Sequence, residues 1–109
     1  MPVIKPTVGR VVWYTPYEED FKGPGAISRP YSGQKCVAFI TSVHGDRMIN
    51  VYVLDPNGKP FTVWSCSLVQ LGDAIPEGGR YCEWMPYQTG QAMKTEALEK
   101  QLAGGAKES

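Results

Sequence analysis

The segment CVAFITSVHGDRMINVYVL, residues 36–54, holds two runs of β-branched and other apolar residues on either side of a short polar turn. Residues 36–43 and 48–54 have the composition of β-strands, and apolar and mixed positions alternate along the second run. Gly45-Asp46 suits the two-residue loop of a hairpin. The segment therefore predicts an antiparallel hairpin with one face turned towards a core.

Further strand candidates lie on both sides of this hairpin, separated by turns that draw on 12 Gly and 9 Pro. They are residues 7–14, residues 60–64 with a looser continuation through 67–69, and residues 80–84. The connection 15–35 is rich in Pro, Gly and Tyr, and a loop of this length is more often functional than accidental. Five short strands with a long first connection favour a mainly β fold, a small SH3-like five-stranded barrel.

The pattern changes near the carboxyl end, where residues 91–102 are strong helix formers. We interpret them as a C-terminal amphipathic α-helix, too short to be stable alone and therefore docked on the barrel or on another subunit. The predicted organisation is a barrel over 1–87 with the long loop 15–35, a helix over 88–103 and a flexible tail over 104–109.

The composition restricts the function classes. The chain of 109 residues has the length of one domain, and its 11 basic and 11 acidic side chains cancel, which makes nucleic acid an unlikely partner. No apolar stretch has the length of a signal peptide or of a membrane span of about 20 residues. Cys36, Cys66 and Cys82 form no C-x-x-C pair and are expected to be small buried hydrophobes. We expect a protein kept in a reducing cytoplasm.

Three motifs resemble those of a group of phage proteins. PTVGRVVWY, residues 6–14, resembles the opening PTVGRIVHY of many small, uncharacterised proteins of tailed bacteriophages and prophages. The turn DPNG at 55–58 and the Gly-rich step into WMP at 84–86 match two more of their motifs, although Trp13 replaces a His and Tyr81-Cys82 stands where a Trp would be. The resemblance implies an SH3-like barrel and a phage origin, and the reducing cytoplasm would then be that of the host. By analogy, it implies an inhibitor of host defence that sequesters a nucleotide signal.

Catalytic patterns are lacking in the sequence. The one histidine, His44, lies at a predicted turn, and the adjacent acids Glu18-Glu19 lie in the long loop, where carboxylates usually serve solvation. No phosphate-binding loop, nucleophile elbow or dinucleotide fingerprint occurs. We therefore predict a protein that is not an enzyme and that uses no cofactor or metal.

Arginines beside aromatic residues are the best candidates for a binding site, because guanidinium groups bind phosphate and aromatic rings stack on bases. The predicted ligand-binding residues are Arg10, Tyr14, Arg29, Tyr31, Arg47, Arg80 and Trp84. The leading hypothesis is a homo-oligomeric binding protein that captures a small nucleotide-type ligand. For any single aromatic residue other than Tyr17 and Tyr31, however, we favour a core position over a binding site, and Trp13, Tyr52, Trp64 and Trp84 would then fill the barrel.

Two alternatives belong to other functional classes. The chain could be an adaptor that binds a host protein through an SH3-like aromatic groove formed by Tyr14, Tyr17 and Trp84. It could also be a minor component of the virion. A homo-oligomer would form through an exposed barrel face or the C-terminal helix.

Overall fold

Residues 3–108 are described by a computed structural model, in which five strands close into a barrel and one long helix follows. The strands are β1 (Val11–Thr15), β2 (Cys36–Gly45), β3 (Met48–Leu54), β4 (Pro60–Val69) and β5 (Tyr81–Glu83), and the helix is α1 (Pro86–Glu108). Two short 3₁₀ turns, Glu18–Phe21 and Tyr31–Gly33, lie in the long first connection.

The barrel closes where β4 and β5 lie side by side in parallel, a pairing that we call the parallel seam. Strands β1 to β4 pair in sequence order and antiparallel, β5 pairs parallel with β4, and β5 returns antiparallel to β1. This confirms the predicted mainly β fold, a small five-stranded SH3-like barrel with a C-terminal helix. β3 has the predicted bounds, whereas β1 begins later than predicted because Gly9, at φ 93°, forms a turn before it.

The barrel interior is filled by the inward members of each strand alternation, and burying this apolar surface is the main stabilising term. The buried cluster is Val12, Tyr14, Ile27, Cys36, Ala38, Ile40, Ile49, Val51, Val53, Val63, Cys66, Leu68, Cys82 and Trp84. All three cysteines are free and buried, as predicted. Burial raises the pKa of the Cys36 thiol to about 11, which makes that thiol unreactive near neutral pH.

Gln70 is a buried polar residue that joins three parts of the chain at one end of the barrel. Its Oε1 accepts from the backbone N–H of Ile4 (3.1 Å) and from Trp84 Nε1 (3.2 Å). Its Nε2 donates to the carbonyl oxygens of Ile4 (3.0 Å) and Asp46 (2.8 Å). With 2% of its surface exposed, Gln70 fixes the N-terminal segment, the β2–β3 turn and the Trp84 indole at what we call the helix end.

Asp20 holds the first part of the long connection at the opposite end of the barrel, the loop end. Its Oδ2 accepts from the Tyr14 hydroxyl (2.6 Å) and from the backbone N–H of Tyr17 (3.2 Å). Burial, and then the hydrogen bond to Asp20, raise the pKa of Tyr14 above its ordinary value. The Tyr14 hydroxyl therefore remains a protonated donor inside the core.

Asp55 fixes the second part of the long connection. Its carboxylate accepts from the backbone N–H groups of Ser28 (2.9 Å), Asn57 (2.9 Å) and Lys59 (2.8 Å). The bond from Ser28 is the largest of the effects that hold the pKa of Asp55 below its usual value. The Asp55-Pro56-Asn57-Gly58 turn thus also anchors the long loop.

The helix begins before its predicted start and extends past its predicted end. Proline suits the first helical turn because the missing N–H has no partner there, and Pro86 is the first residue of α1. Gln88 accepts from the backbone N–H of Met85 (2.7 Å) and donates to the carbonyl of Val11 (3.0 Å), which joins the helix start to β1. Residues 104–108, predicted to be a flexible tail, continue the helix, and Ser109 lies outside the described residues.

The rest of α1 projects away from the barrel, and the protein measures 65 × 28 × 24 Å. Leu98 and Leu102 share a side and are 56% and 66% exposed, whereas Met93 lies about 140° around the helix from Leu98 at 100° per residue. The predicted amphipathic face is therefore not formed. In the part of the chain that the structure describes, no helix has the length and apolarity needed to cross a membrane.

Candidate functional site

Two of the predicted phosphate-binding arginines are already paired with carboxylates. Arg29 donates from both Nη atoms to Glu18 (2.9 and 3.2 Å), and its guanidinium stacks 4.1 Å from the centre of the Phe21 ring. Arg47 donates from Nε and Nη2 to Asp73 (2.8 and 3.2 Å). These pairs hold the pKa values of Glu18 and Asp73 below their usual range. Both arginines are solvent-exposed, so an anion could compete for either one.

The other two predicted arginines stack on aromatic rings. Arg10 lies 5.2 Å from the centre of the Trp84 ring at the helix end. Arg80 lies 4.8 Å from the centre of the Tyr17 ring at the loop end and donates to the Tyr17 hydroxyl. Arg29 is also at the loop end, and Arg47 is at the helix end, so one chain does not bring the four arginines to a single site.

Two of the three predicted stacking surfaces are core residues, which corrects their assignment. Tyr14 is fully buried and Trp84 is 4% exposed. Neither ring is accessible to a ligand in this structure, since Tyr14 packs edge-on against Phe61 inside the core and the Trp84 ring is almost fully buried, with Arg10 stacked on it. The aromatic groove of Tyr14, Tyr17 and Trp84 predicted for an adaptor is therefore not formed. Tyr31, by contrast, is 79% exposed.

A groove at the loop end contains the remaining ligand-like features. It has a volume of about 340 Å³, and Arg29, Lys35, Phe21 and Gly33 are among the residues that line it. Tyr31 lies on the same 3₁₀ turn as Gly33. The two cations face the open groove, and Lys35 is also held by Glu83 and Thr15. Two pairs of predicted residues therefore lie close together among residues 3–108, namely Arg29 with Tyr31 near this groove and Arg10 with Trp84 at the helix end.

A second groove, of about 390 Å³, lies between the helix and the helix end of the barrel. Arg10 and Gln88 line it together with Glu96 and Glu99. Two carboxylates beside a single guanidinium oppose the binding of an anion. The lining of this groove therefore disfavours a phosphate beside Arg10.

The outer surface of β1–β4 carries uncharged side chains in rows, at the positions that alternate with the core. One row runs from Val11 through Phe39 and Tyr52 to Thr62, and each member is paired in register with the next. A second row consists of Trp13, Val37, Leu54 and Pro60. With Trp64, the outward residue after Thr62 on β4, these nine side chains form what we call the uncharged outer face.

Trp64 has 76% of its surface accessible, Tyr52 40% and Val37 38%. The sequence favoured core positions for Trp64 and Tyr52. Strand alternation turns Trp64 outward beside buried Val63, and a bulge follows at Ser65, which has a left-handed backbone at φ 52° and donates its N–H to Asn50 Oδ1 (2.8 Å). Only the alternation of Trp64 with buried Val63 could have indicated its outward direction from sequence.

His44 Nε2 lies 3.1 Å from Asn50 Oδ1 on the exposed surface. Among residues 3–108, no three His, Cys, Asp or Glu side chains are grouped so that they could hold a metal ion. The surface of the described residues thus offers a broad uncharged face and a small groove whose two cations, Arg29 and Lys35, are each paired with a carboxylate.

Comparison with protein-family models, with curated proteins and with solved structures found no match for this chain.

Proposed function

We propose that the chain is a non-catalytic binding module that binds a protein partner through the uncharged outer face. The observation that carries this proposal is Trp64, an indole exposed over 76% of its surface among eight other uncharged side chains on one side of the barrel. An exposed apolar patch of this kind is characteristic of a protein interaction site. Tryptophan is the residue type most enriched among those that dominate binding energy.

The chemistry of this face defines the partner. None of the nine side chains carries a charge, so a charged surface would lose its hydration here without gaining an ion pair. The partner surface should therefore be apolar at its centre, with a pocket that receives the Trp64 indole and an acceptor for its N–H. The resemblance to phage proteins supports a bacterial protein of the host cytoplasm, of the defence or replication machinery, as this partner.

Replacing Trp64 by serine is expected to abolish capture of the partner without unfolding the barrel, because this side chain lies outside the core. The measurement is affinity purification of the tagged chain from bacterial lysate, with quantitative mass spectrometry of the proteins retained. Tyr87→Ser is the matched control, since Tyr87 is 69% exposed but lies at the start of α1. Equal retention of the same proteins by both variants would contradict the proposal.

A second copy of the chain is the competing occupant of this face, and the sequence predicted a homo-oligomer. Light scattering after gel filtration separates the two cases. If the wild-type chain is a dimer and the Trp64→Ser variant is a monomer, the uncharged outer face binds a second copy of the chain. A wild-type monomer leaves the face free for another protein. Finding the chain in purified phage particles would instead favour the virion component.

The loop-end groove supports a second candidate function, the capture of a small nucleotide-type ligand. Its volume of about 340 Å³ lies within the usual range for ligand pockets, roughly 300–1,000 Å³, and Arg29 and Lys35 line it beside the turn that bears exposed Tyr31. A phosphate would replace Glu18 as the partner of Arg29, and a base would stack on Tyr31. Sequestration of a host defence signal would then need no catalysis.

If this candidate is right, cyclic or ADP-ribose-type nucleotides at 100 times their Kd should stabilise the chain by about 2.7 kcal/mol. A thermal-shift titration measures this stabilisation. Arg29→Ala should remove the shift, because it deletes the bidentate donor, and Lys94→Ala on the exposed helix should keep it. No shift with any of these nucleotides, or an equal shift in both variants, would exclude the loop-end groove as a nucleotide site.

A further inference from the structure

Two cysteine thiols lie side by side in the barrel interior. The Sγ atoms of Cys66 on β4 and Cys82 on β5 are 3.6 Å apart, within hydrogen-bonding distance for sulfur. Both residues are buried, with 2% and 0% of their surfaces exposed, and both are reduced. They lie across the single parallel seam of the barrel.

Irregular backbone next to each cysteine brings the thiols together. Trp64 and Ser65 both face outward at the β4 bulge, and as a result Cys66 turns into the core. Just before β5, Arg80 has a left-handed backbone at φ 60°, as Ser65 has at φ 52°. Such conformations are uncommon for residues with a Cβ and cluster at functional sites. The contact between the thiols thus depends on two local departures from regular strand geometry.

We propose that Cys66 and Cys82 form an oxidation-sensitive dithiol site, which closes to an intramolecular disulfide when the chain meets an oxidant of the peroxide class. This goes beyond partner binding, since it concerns the barrel seam and not the outer face.

The two thiols share one hydrogen bond, in which either sulfur can be the donor. Either thiol can therefore react first, and the same steps balance with the two roles exchanged. When Cys66 reacts first, its thiolate displaces hydroxide from hydrogen peroxide as the O–O bond breaks, which leaves a sulfenic acid at Cys66 and, after protonation of the hydroxide, one water.

Cys82 completes the reaction as the resolving thiol. It gives up its proton, its sulfur attacks the Cys66 sulfur, the S–O bond breaks and a second water leaves. In total, two thiols and one hydrogen peroxide give one disulfide and two waters. The sulfurs must approach by about 1.5 Å to reach the bond length of about 2.05 Å. Cys66 is offset by two residues from Leu68, the residue opposite Cys82, so the irregular backbone must absorb this movement.

The bond would lock the seam where the barrel closes. It would enclose residues 67–81, which contain Gln70 and the Gly78-Gly79 turn. Because a cross-link of this span restricts the unfolded chain, we expect oxidation to raise the Tm by about 5–15 °C.

The test treats the reduced full-length chain with hydrogen peroxide, blocks the remaining thiols by alkylation and maps the peptides by mass spectrometry. We expect a linked peptide pair containing Cys66 and Cys82, two hydrogens lighter than the reduced peptides, and a Tm rise that dithiothreitol reverses. Cys36→Ala should keep both changes and Cys82→Ala should lose them. Linkage through Cys36, linkage between chains, or oxidation of Cys66 to the sulfinic acid without linkage in the wild-type chain would overturn the proposal.

Discussion

Replacing Gln70 by leucine is expected to lower the free energy of unfolding by about 3–5 kcal/mol, because four hydrogen bonds worth about 1 kcal/mol each are lost together. Leucine is similar in size to glutamine, so little cavity forms and the loss is mainly polar. The buried N–H of Trp84 and the backbone N–H of Ile4 would lose their acceptor, and the carbonyl oxygen of Ile4 would lose its donor. The helix end of the barrel should loosen first.

Equilibrium denaturation in urea measures this loss as a lower midpoint at an unchanged slope. The matched control is Gln34→Leu, an exposed position in the long connection, which should stay within about 0.5 kcal/mol of the wild type. The N–H signal of Trp84 in NMR spectra should also move in Gln70→Leu. Equal stability of the two variants would show that Gln70 does not hold this end together.

Replacing Gly79 by alanine is expected to lower the free energy of unfolding by about 3 kcal/mol or more. A left-handed backbone alone costs about 1–2 kcal/mol for a residue with a Cβ, and a steric clash adds to this cost. Gly79 has φ 91°, and a Cβ there would overlap the carbonyl oxygen of Pro16 and lie 3.2 Å from the Cα of Tyr17. Those atoms are backbone and cannot rotate away. The entry into β5 would therefore be displaced.

Gly78 provides the matched control, because it has nearly the same backbone angle, φ 84°, and a Cβ there would have no neighbour within 4 Å. Gly78→Ala should lower the free energy of unfolding only by the cost of the left-handed backbone, about 1–2 kcal/mol. Thermal unfolding of the two variants gives the difference between them. If both lose the same stability, the chain does not approach Gly79 as closely as described.

The strands could be predicted from the sequence because alternation and turn chemistry are local properties. β3 has its predicted bounds, and Asp55-Pro56-Asn57-Gly58 forms its predicted turn. The helix was predicted to begin at residue 88, whereas α1 begins at Pro86, because proline suits a first helical turn. It was predicted to end at residue 103, whereas α1 continues through Gly104-Gly105, because glycine within a helix reduces its stability without ending it.

The candidate site was harder to predict because it depends on pairings between distant residues. Arg29 and Glu18 are 11 residues apart, and Arg47 and Asp73 are 26 apart, so no sequence spacing indicated that these arginines have acidic partners. Trp64 looked like a core residue by composition alone. Its exposure follows from its alternation with Val63, and the sequence did not show which of the two faces of β4 points into the barrel.

The most direct test of the central claim, that the uncharged outer face binds a protein, is the amount of partner retained per mole of tagged chain. Trp64→Ser and Tyr87→Ser should be compared with the wild type after thermal unfolding has shown that all three are folded. We predict that Trp64→Ser weakens the interaction by about 30-fold or more, the effect of losing at least 2 kcal/mol at a dominant contact, and that Tyr87→Ser has no such effect. Undiminished retention by a folded Trp64→Ser variant would contradict the claim.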